Sequence, residues 1–294
     1  MKKISIALLV ISIAFIQQSN AQKYNSRIQM DAGAIYEVTT EVKNLLAQQA
    51  NGFSFDFNLN GNAVSLYNVT NTGDENISLR HKLKRIDFEF DGMGSKMKFD
   101  SDNSKDLERE FGRPMRDMLA KSYDMIIDTL GKTLLVLAPT AAPSAGDDQY
   151  KLISGLLGDL GNVATPPQKG DPTIFMSWPG GELAVGESWS IIKDSPNDNY
   201  RTSYTLSSVN DSTFVIDFTG TGAKKIENEM RGMQVTVNMK TVTTGQMQVD
   251  RATGIVREKT TTVESSGTSE MMGGSTPING KMTTITRIKK KEAQ

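Results

Sequence analysis

The fold class is decided by residues 201–219, which read RTSYTLSSVNDSTFVIDFT. Three apolar side chains alternate along the second half of this stretch and line one face of an extended strand: Phe214, Ile216 and Phe218. Val209-Asn210-Asp211-Ser212 supplies turn-forming residues just before them. The stretch therefore predicts a hairpin that joins a strand over 201–208 to a strand over 213–219.

Two further hairpins follow from the same combination of alternation and turn chemistry. Asp250-Arg251-Ala252-Thr253-Gly254 is expected to join strands over 243–249 and 255–264, with Gly254 in the left-handed conformation. Leu130-Gly131-Lys132 is expected to join strands over 122–129 and 133–138. Because hairpins connect antiparallel strands, the sheet is predicted to be mostly antiparallel.

One strand changes parity along its length. Ile77, Leu79, His81 and Leu83 occupy odd-numbered positions and share one face of the strand. The apolar positions then change to even numbers, at Ile86, Phe88 and Phe90. One extra residue restores a common face for both sets, so a β-bulge is predicted near Lys84-Arg85.

Two segments have helical patterns. Ser104 is placed to cap a helix with acidic residues in its first turn, and Gly112-Arg113-Pro114 is expected to break or kink that helix. A second helix is predicted over Asp148–Leu160, between stretches rich in Pro, Gly and Ala.

These elements predict a mainly β protein with antiparallel sheets, arranged as two related β halves or as a half-barrel, with two short covering helices. The expected division is a β-rich half with one kinked helix over 22–137, a Pro/Gly/Ala-rich linker with a short helix over 138–172, and a β half over 173–294.

Residues 1–21 have the pattern of a secretory signal peptide. Lys2 and Lys3 precede an apolar run from Ile4 to Phe15, and Ser19-Asn20-Ala21 offers small residues for cleavage after Ala21. The apolar run is too short for a permanent transmembrane helix. The sequence therefore predicts an exported protein, periplasmic or secreted, with no transmembrane segment in the mature chain.

Composition excludes several classes of function. The chain has no cysteine, which removes disulfides, thiolate nucleophiles, zinc thiolates and lipoprotein anchoring from consideration. Its 33 basic and 34 acidic residues give no strong field for nucleic acid. No nucleotide-binding loop is present, and no cofactor is expected.

Catalytic signatures are sparse. His81 is the single histidine, and its parity places it on a packed strand face rather than in a triad. Gly186-Glu187-Ser188-Trp189-Ser190 lacks the last glycine of a nucleophile elbow. Acidic residues alternate over Asp87, Glu89 and Asp91 without singling out a catalytic pair. A carboxylate-based hydrolase is the least favoured hypothesis, and the protein is expected not to be an enzyme.

A weak metal site is predicted at positions matching the first part of a calcium loop: Asp100, Asp102, Ser104, Asp106 and Glu108. Lys105 replaces the turn glycine and Phe111 replaces the terminal glutamate of such a loop. The alternative interpretation is the acidic first turn of a capped helix.

The Leu130-Gly131-Lys132 turn, Trp178-Pro179 leading into Ala184-Val185-Gly186-Glu187-Ser188-Trp189, and the hairpin through Asp250–Gly254 resemble domain-of-unknown-function family 6263. The resemblance extends over about residues 30–288. It implies an exported β-rich envelope protein of Gram-negative bacteria and supplies no activity or catalytic residues. The resemblance also implies that many members are lipoproteins. This chain differs from those members because it has no cysteine.

The leading functional hypothesis is an envelope protein that binds a hydrophobic small molecule or lipid, because the chain carries 15 methionines and a broken amphipathic helix. The expected lining is Leu107, Phe111, Met115, Met118 and Met233. The alternative is a cell-surface structural or interaction protein, in which exposed hairpins over 233–264 bind another envelope protein by strand addition.

Overall fold

The computed structural model describes residues 22–50, 53–92, 94–109, 112–137, 160, 163, 165–195, 197–230, 233–271 and 274–292. The proposed signal peptide and all but the last residue of the proposed 148–160 helix lie outside these ranges. No helix among the described residues is both long and apolar enough to cross a membrane.

The described chain consists of fourteen strands and two short helices, as the alternating pattern predicts. In chain order they are β1 (Lys23–Tyr24), β2 (Ile35–Ala50), β3 (Phe53–Thr72), β4 (Asn76–Gly92), β5 (Ser95–Asp100), α1 (Ser104–Glu108), α2 (Gly112–Ala120), β6 (Ser122–Asp128), β7 (Thr133–Leu137), β8 (Leu183–Ala184), β9 (Ser188–Lys193), β10 (Asp198–Val209), β11 (Thr213–Met230), β12 (Met233–Asp250), β13 (Val256–Met271) and β14 (Gly274–Lys290).

Twelve of the strands form one antiparallel sheet in the order β7-β6-β4-β3-β2-β14-β13-β12-β11-β10-β9, and β5 pairs with β4 beside β6. The sheet is open, with β7 and β9 at its two ends. The remaining strands, β1 and β8, pair with each other. All three predicted hairpins are present, and Gly254 has the expected positive φ of 67°.

The two predicted β halves are joined in the middle of this sheet. β2 pairs with β14 over thirteen residue pairs, from Ile278↔Gln48 to Lys290↔Tyr36. The strands of 22–137 and those of 173–294 therefore share a continuous hydrogen-bonded ladder.

The register aligns one inward-facing residue from each of ten neighbouring strands, because residues directly opposite each other point to the same side of a sheet. This central row is Trp189, Tyr204, Phe218, Gly245, Thr261, Thr284, Val42, Gly61, Phe88 and Phe99. Aromatic residues occupy its two ends, and small residues occupy most of its middle. The inner face is therefore deepest near its centre.

The predicted bulge lies where the parity changes. The pairing of β3 with β4 shifts between Val64/Ser65, whose partners are Arg85 and Leu83, so Lys84 is the extra residue. This shift keeps Leu83, Ile86 and Phe88 on the buried inner face.

The buried side chains form two apolar clusters on the inner face. The first cluster includes Tyr67, Phe175, Trp178 and Phe214 and lies at the end of the sheet that carries the β6–β7 and β12–β13 turns. The second cluster includes Leu59, Phe88 and Met115, and α2 packs against it. Leu160 also belongs to the second cluster: a side chain at Gly61 would collide with it, at 2.3 Å from the added Cβ.

The curvature of the sheet is shown by two turns from distant strands that both contact the segment Ile28–Gln29. The amide of Ile28 donates to the carbonyl oxygen of Thr129 at 2.7 Å, in the β6–β7 turn. The amide of Gln29 donates to the carbonyl oxygen of Thr253 at 2.8 Å, in the β12–β13 turn. This backbone strap closes one end of the curved sheet, which agrees with the half-barrel alternative.

The first predicted helix is interrupted as expected, since α1 ends at Glu108 and α2 begins at Gly112. Its cap differs by one residue: Asn103 has the extended backbone of an N-cap, and its side chain accepts a hydrogen bond from the amide of Lys105. Asparagine is as good a cap as serine, so sequence preference alone does not separate the two positions.

Candidate functional site: an apolar cavity on the inner face

A cavity of about 350 Å³ lies between the curved sheet and the segment 163–178. Aromatic residues supply much of its wall, namely Tyr67, Tyr123, Trp178, Trp189 and Tyr204. Three methionines add to the apolar surface: Met125, Met176 and Met247. β6, near one end of the sheet, and β9, at the other end, both contribute, so the curvature of the sheet creates this space.

The cavity exists because small residues occupy the middle of the inner face. Thr40, Ser65, Thr261, Thr284 and Thr286 line it, where larger side chains would fill the volume. Most of these residues are threonines, which are typical of exposed strand faces, so strand propensity alone predicts that they are exposed. Thr40, Thr284 and Thr286 are instead buried on the inner face.

Hydrogen bonds hold the covering segment to two turns of the sheet. Thr173 donates through both its amide and its hydroxyl to the carbonyl oxygen of Gly131, at 2.9 and 2.7 Å. The Ser177 hydroxyl donates to the carbonyl oxygen of Gly254 at 3.1 Å. Phe175 and Trp178 are then buried in the first cluster, so this side of the cavity is fixed by packing as well as by hydrogen bonds.

A row of neighbouring rings crosses β9, β10 and β11, and the rings of β9 and β10 line the cavity. Trp189 and Tyr204 lie 5.3 Å apart with an interplanar angle of 14°, and Tyr204 lies 5.3 Å from Phe218. Burial raises the pKa of Tyr204 to about 12. The phenol therefore stays neutral and presents an aromatic face with one hydroxyl to the cavity.

A buried polar cluster lies in the opposite wall. The rings of Tyr67 and Tyr123 flank His81 at 4.8 and 4.5 Å, and His81 Nε2 lies 3.1 Å from Ser65 Oγ. Burial lowers the pKa of His81 to about 4, so the imidazole is neutral at pH 7. Burial also raises the pKa of both tyrosines, and their hydroxyls hydrogen-bond to each other.

This placement agrees with the structural role predicted for His81. The ring is 2% exposed, and Ser65 and the two tyrosines, rather than His81, line the cavity. Glu187 accepts a hydrogen bond from the amide of Ala184 at 2.8 Å in the turn before β9. Residues 186–190, which lack the last glycine of a nucleophile elbow, thus form the turn into β9 and its first residues. Trp189 faces the cavity.

The structure places the predicted ligand-binding residues away from this cavity. Met115 is buried in the second cluster, with Leu107 and Met118 packed against it. Phe111 lies outside the described residues, and Met233 begins β12 with its side chain outside the description. None of the three described side chains lines the cavity. The described side chains of this apolar stripe pack into the second cluster under α1 and α2.

The residues proposed as a calcium loop make other contacts. Asp100 binds Arg85 at 3.0 Å, and the Asp106 side chain accepts a hydrogen bond from the amide of Asp100 at 3.1 Å. Among the described residues, no group of three or more His, Cys, Asp or Glu side chains is placed to hold a metal ion. The geometry matches the alternative interpretation, a strand end followed by a capped helix.

The hairpin proposed for partner binding lies inside the sheet. β12 pairs with both β11 and β13, and β13 pairs with both β12 and β14. Their backbone edges are therefore occupied, and strand addition at 233–264 is not available to a partner. Among the strands of the described sheet, β5, β7 and β9 each pair with one neighbour only.

The described chain is an open, curved antiparallel sheet with an apolar cavity on its inner face. The model of a family of unknown function (DUF6263) matches residues 172–256, which contain the covering segment from Pro172 onward, Trp189, and the turn at Gly254. This match supports the resemblance for that part of the chain, and the Leu130-Gly131-Lys132 turn lies outside it. No curated protein matches the chain.

The solved structures that match this chain have very different sequences. One, described as lipid–protein interactions in lipovitellin, has a TM-score of 0.48 at 10% identity and covers 90% of this chain and 26% of that chain. An outer membrane channel from Pseudomonas putida F1 has a TM-score of 0.27 at 9% identity, covering 90% of this chain and 98% of that chain. OpdQ from Pseudomonas aeruginosa has a TM-score of 0.24 at 6% identity, with coverages of 87% and 99%. This chain therefore corresponds to about a quarter of the lipovitellin chain.

Proposed function

We propose that this protein is a non-enzymatic binding protein that holds a small hydrophobic molecule in the cavity on the inner face of its sheet. The observation that carries the proposal is the cavity itself, a space of about 350 Å³ walled largely by aromatic rings and methionines. Ligand pockets have volumes of roughly 300–1,000 Å³ and mostly apolar walls with a few polar groups. The cavity falls at the small end of that range.

Export is the second part of the proposal. The basic, apolar and small-residue regions of residues 1–21 support it, with cleavage after Ala21. N-terminal sequencing of protein recovered from the periplasm or medium of a Gram-negative host tests it. A chain that begins at Gln22 is expected, and a chain that stays in the cytoplasm with Met1 or Lys2 at its start would contradict it.

Binding is measured with 1-N-phenylnaphthylamine, a neutral apolar dye whose fluorescence rises on leaving water. The chain has two tryptophans, Trp178 and Trp189, and both line the cavity, so energy transfer from tryptophan to the dye reports its location. Saturable binding with transfer is expected. Absence of saturable binding by protein extracted free of native ligand would refute the proposal.

A matched pair of variants locates the dye. Thr261→Leu adds volume on the inner face, whereas Thr260→Leu makes the same change one residue earlier on the outer face. Overpacking costs about 1–3 kcal/mol, so binding to the Thr261 variant is expected to weaken by about fivefold or more. Equal binding by both variants would place the dye elsewhere.

A further inference from the structure

Lys259 differs from the other residues around the cavity. It is the only charged side chain among the described residues that line it. Lys259 lies on β13, where its direct neighbours across the sheet are Met247 on β12 and Thr286 on β14. Both neighbours also line the cavity, so the position of Lys259 on the inner face follows from the register as well as from the cavity wall.

The lysine side chain reaches toward the aromatic wall. Its Nζ lies 5.1 Å from the centroid of the Phe218 ring, a cation–π distance. Gly245 makes this arrangement possible, because a Cβ there would lie 2.3 Å from the Phe218 ring. The ring therefore lies against the sheet, and the ammonium group is held above it at one side of the cavity.

Three threonines lie on the inner face on the β14 side of Lys259. Thr286 is the direct partner of Lys259, and Thr40 is the direct partner of Thr286 on the next strand. Thr284 lies two residues from Thr286 on the same face, and all three threonines are buried and line the cavity. The site therefore combines one positively charged side chain with neighbouring buried hydroxyl groups.

We propose that the ligand is an amphipathic anion: a hydrophobic molecule with a single carboxylate, whose head lies at Lys259 and the threonines and whose apolar body lies against Trp189, Tyr204 and Met125. This inference rests on the proposed function. The modest volume favours a molecule with one short chain or ring system over a lipid with two acyl chains.

The test compares two probes that differ only in their heads, decanoate and 1-decanol, as competitors of 1-N-phenylnaphthylamine at pH 7.5. Hydrogen bonds to a charged group contribute about 1.5–3 kcal/mol, so decanoate is expected to bind about tenfold more tightly than decanol, or better. Lys259→Met is expected to weaken decanoate binding about tenfold and so to remove that preference. Lys259→Arg keeps the charge and is expected to retain the preference.

Lys281→Met is the matched control, because Lys281 lies on β14 with its side chain 57% exposed and paired with Glu264 on the outer face. It is expected to bind both probes as the unmodified protein does. Equal affinity of the unmodified protein for the two probes would overturn the inference and leave the proposed function standing. Failure of the dye and of both probes to bind would refute the proposed function itself.

Discussion

Arg287 and Glu41 form an ion pair between β14 and β2, with Nη1 donating to Oε1 at 2.5 Å, although 246 positions separate them in the chain. Arg287 Nε also donates to Glu258 Oε2 on β13 at 2.8 Å. One guanidinium on the outer face therefore connects three neighbouring strands at the junction of the N- and C-terminal parts of the sheet.

The first prediction concerns this ion-pair network. Its three side chains are 35–45% exposed, and solvent screening keeps the contribution of such pairs near 0–1 kcal/mol each. Arg287→Met is expected to lower the free energy of unfolding by about 1 kcal/mol, with the difference shrinking at high salt. Urea titrations at low and high ionic strength measure it. A salt-independent loss would show that packing by the arginine stem dominates.

The second prediction concerns the bulge at Lys84. Deleting this residue moves Ile86, Phe88 and Phe90 to the outer face, because side chains alternate between faces. Exposing three large apolar side chains costs at least about 5 kcal/mol, which is comparable with the whole stability of a domain. Circular dichroism and urea unfolding are expected to show a chain that does not fold.

Lys84→Ala is the control for the deletion. It removes an ion pair in which Lys84 Nζ lies 3.6 Å from Glu37 Oε2, and it leaves the extra residue in place. Its effect is expected to stay within about 0.5 kcal/mol. A folded deletion variant with unchanged stability would mean that the strand can recover its register without the bulge.

The third prediction concerns Gly131, where the β6–β7 turn meets the covering segment. Its φ is 89°, and an added Cβ would lie 2.6 Å from backbone atoms of Met176. Gly131→Ala is expected to cost about 1–2 kcal/mol for the left-handed backbone and a further 1–3 kcal/mol for the collision. Thermal unfolding checks the stability, and dye binding is expected to weaken because the segment 172–178 must shift.

Gly33→Ala separates these two costs. Gly33 has a φ of 81° and no heavy atom within 4 Å of an added Cβ, so only the backbone cost remains. We expect a smaller loss of stability than at Gly131 and unchanged dye binding. Equal losses of stability at Gly131 and Gly33 would show that the covering segment moves away from the added methyl group without a measurable energetic cost.

The fourth prediction is a pH dependence of stability that comes from His81. Burial depresses its pKa from 6.5 to about 4 in the folded state, so the unfolded chain binds the extra proton between these values. The stabilisation is complete above pH 6.5 and is lost as the pH falls toward 4. The shift corresponds to about 3 kcal/mol.

His81→Phe tests this assignment because the chain has one histidine. The variant loses the hydrogen bond to Ser65 and is expected to be less stable at pH 7, but its stability should fall less than that of the unmodified protein between pH 6.5 and 4. Parallel curves for the two proteins in that window would show that His81 binds its proton equally well in the folded and unfolded states.

The local elements were predictable from the sequence, because alternation, turn residues and caps act over a few residues. The bulge at Lys84 follows from a parity change, and the turn at Gly254 follows from its glycine. The pairing of Val38 with Ile288 was not predictable, since both strands have the same pattern and no short-range signal connects them.

The residues that line the cavity could not be identified from the sequence for the same reason. Thr40, Ser65 and Thr286 enclose a cavity only once β3, β2 and β14 are neighbours, and each alone is typical of a solvated strand face. The stack of Trp189 on Tyr204 likewise depends on the register of β9 and β10. The sequence predicted a binding surface on the α1–α2 segment because its methionines follow a helical period that can be recognised without knowing the sheet register.

The β2–β14 ladder also constrains when the protein can acquire its shape. During synthesis β2 is made near the beginning and must wait for β14, the last strand of the sheet, before the ladder at its centre can form. Until then the meander of β9 to β13 and the hairpins of β2 to β4 can assemble only as separate pieces, each with an open edge. Contacts this distant in sequence slow folding, and the waiting edges favour wrong pairings. The slowest step in making this protein is therefore expected to be the meeting of its first long strand with its last.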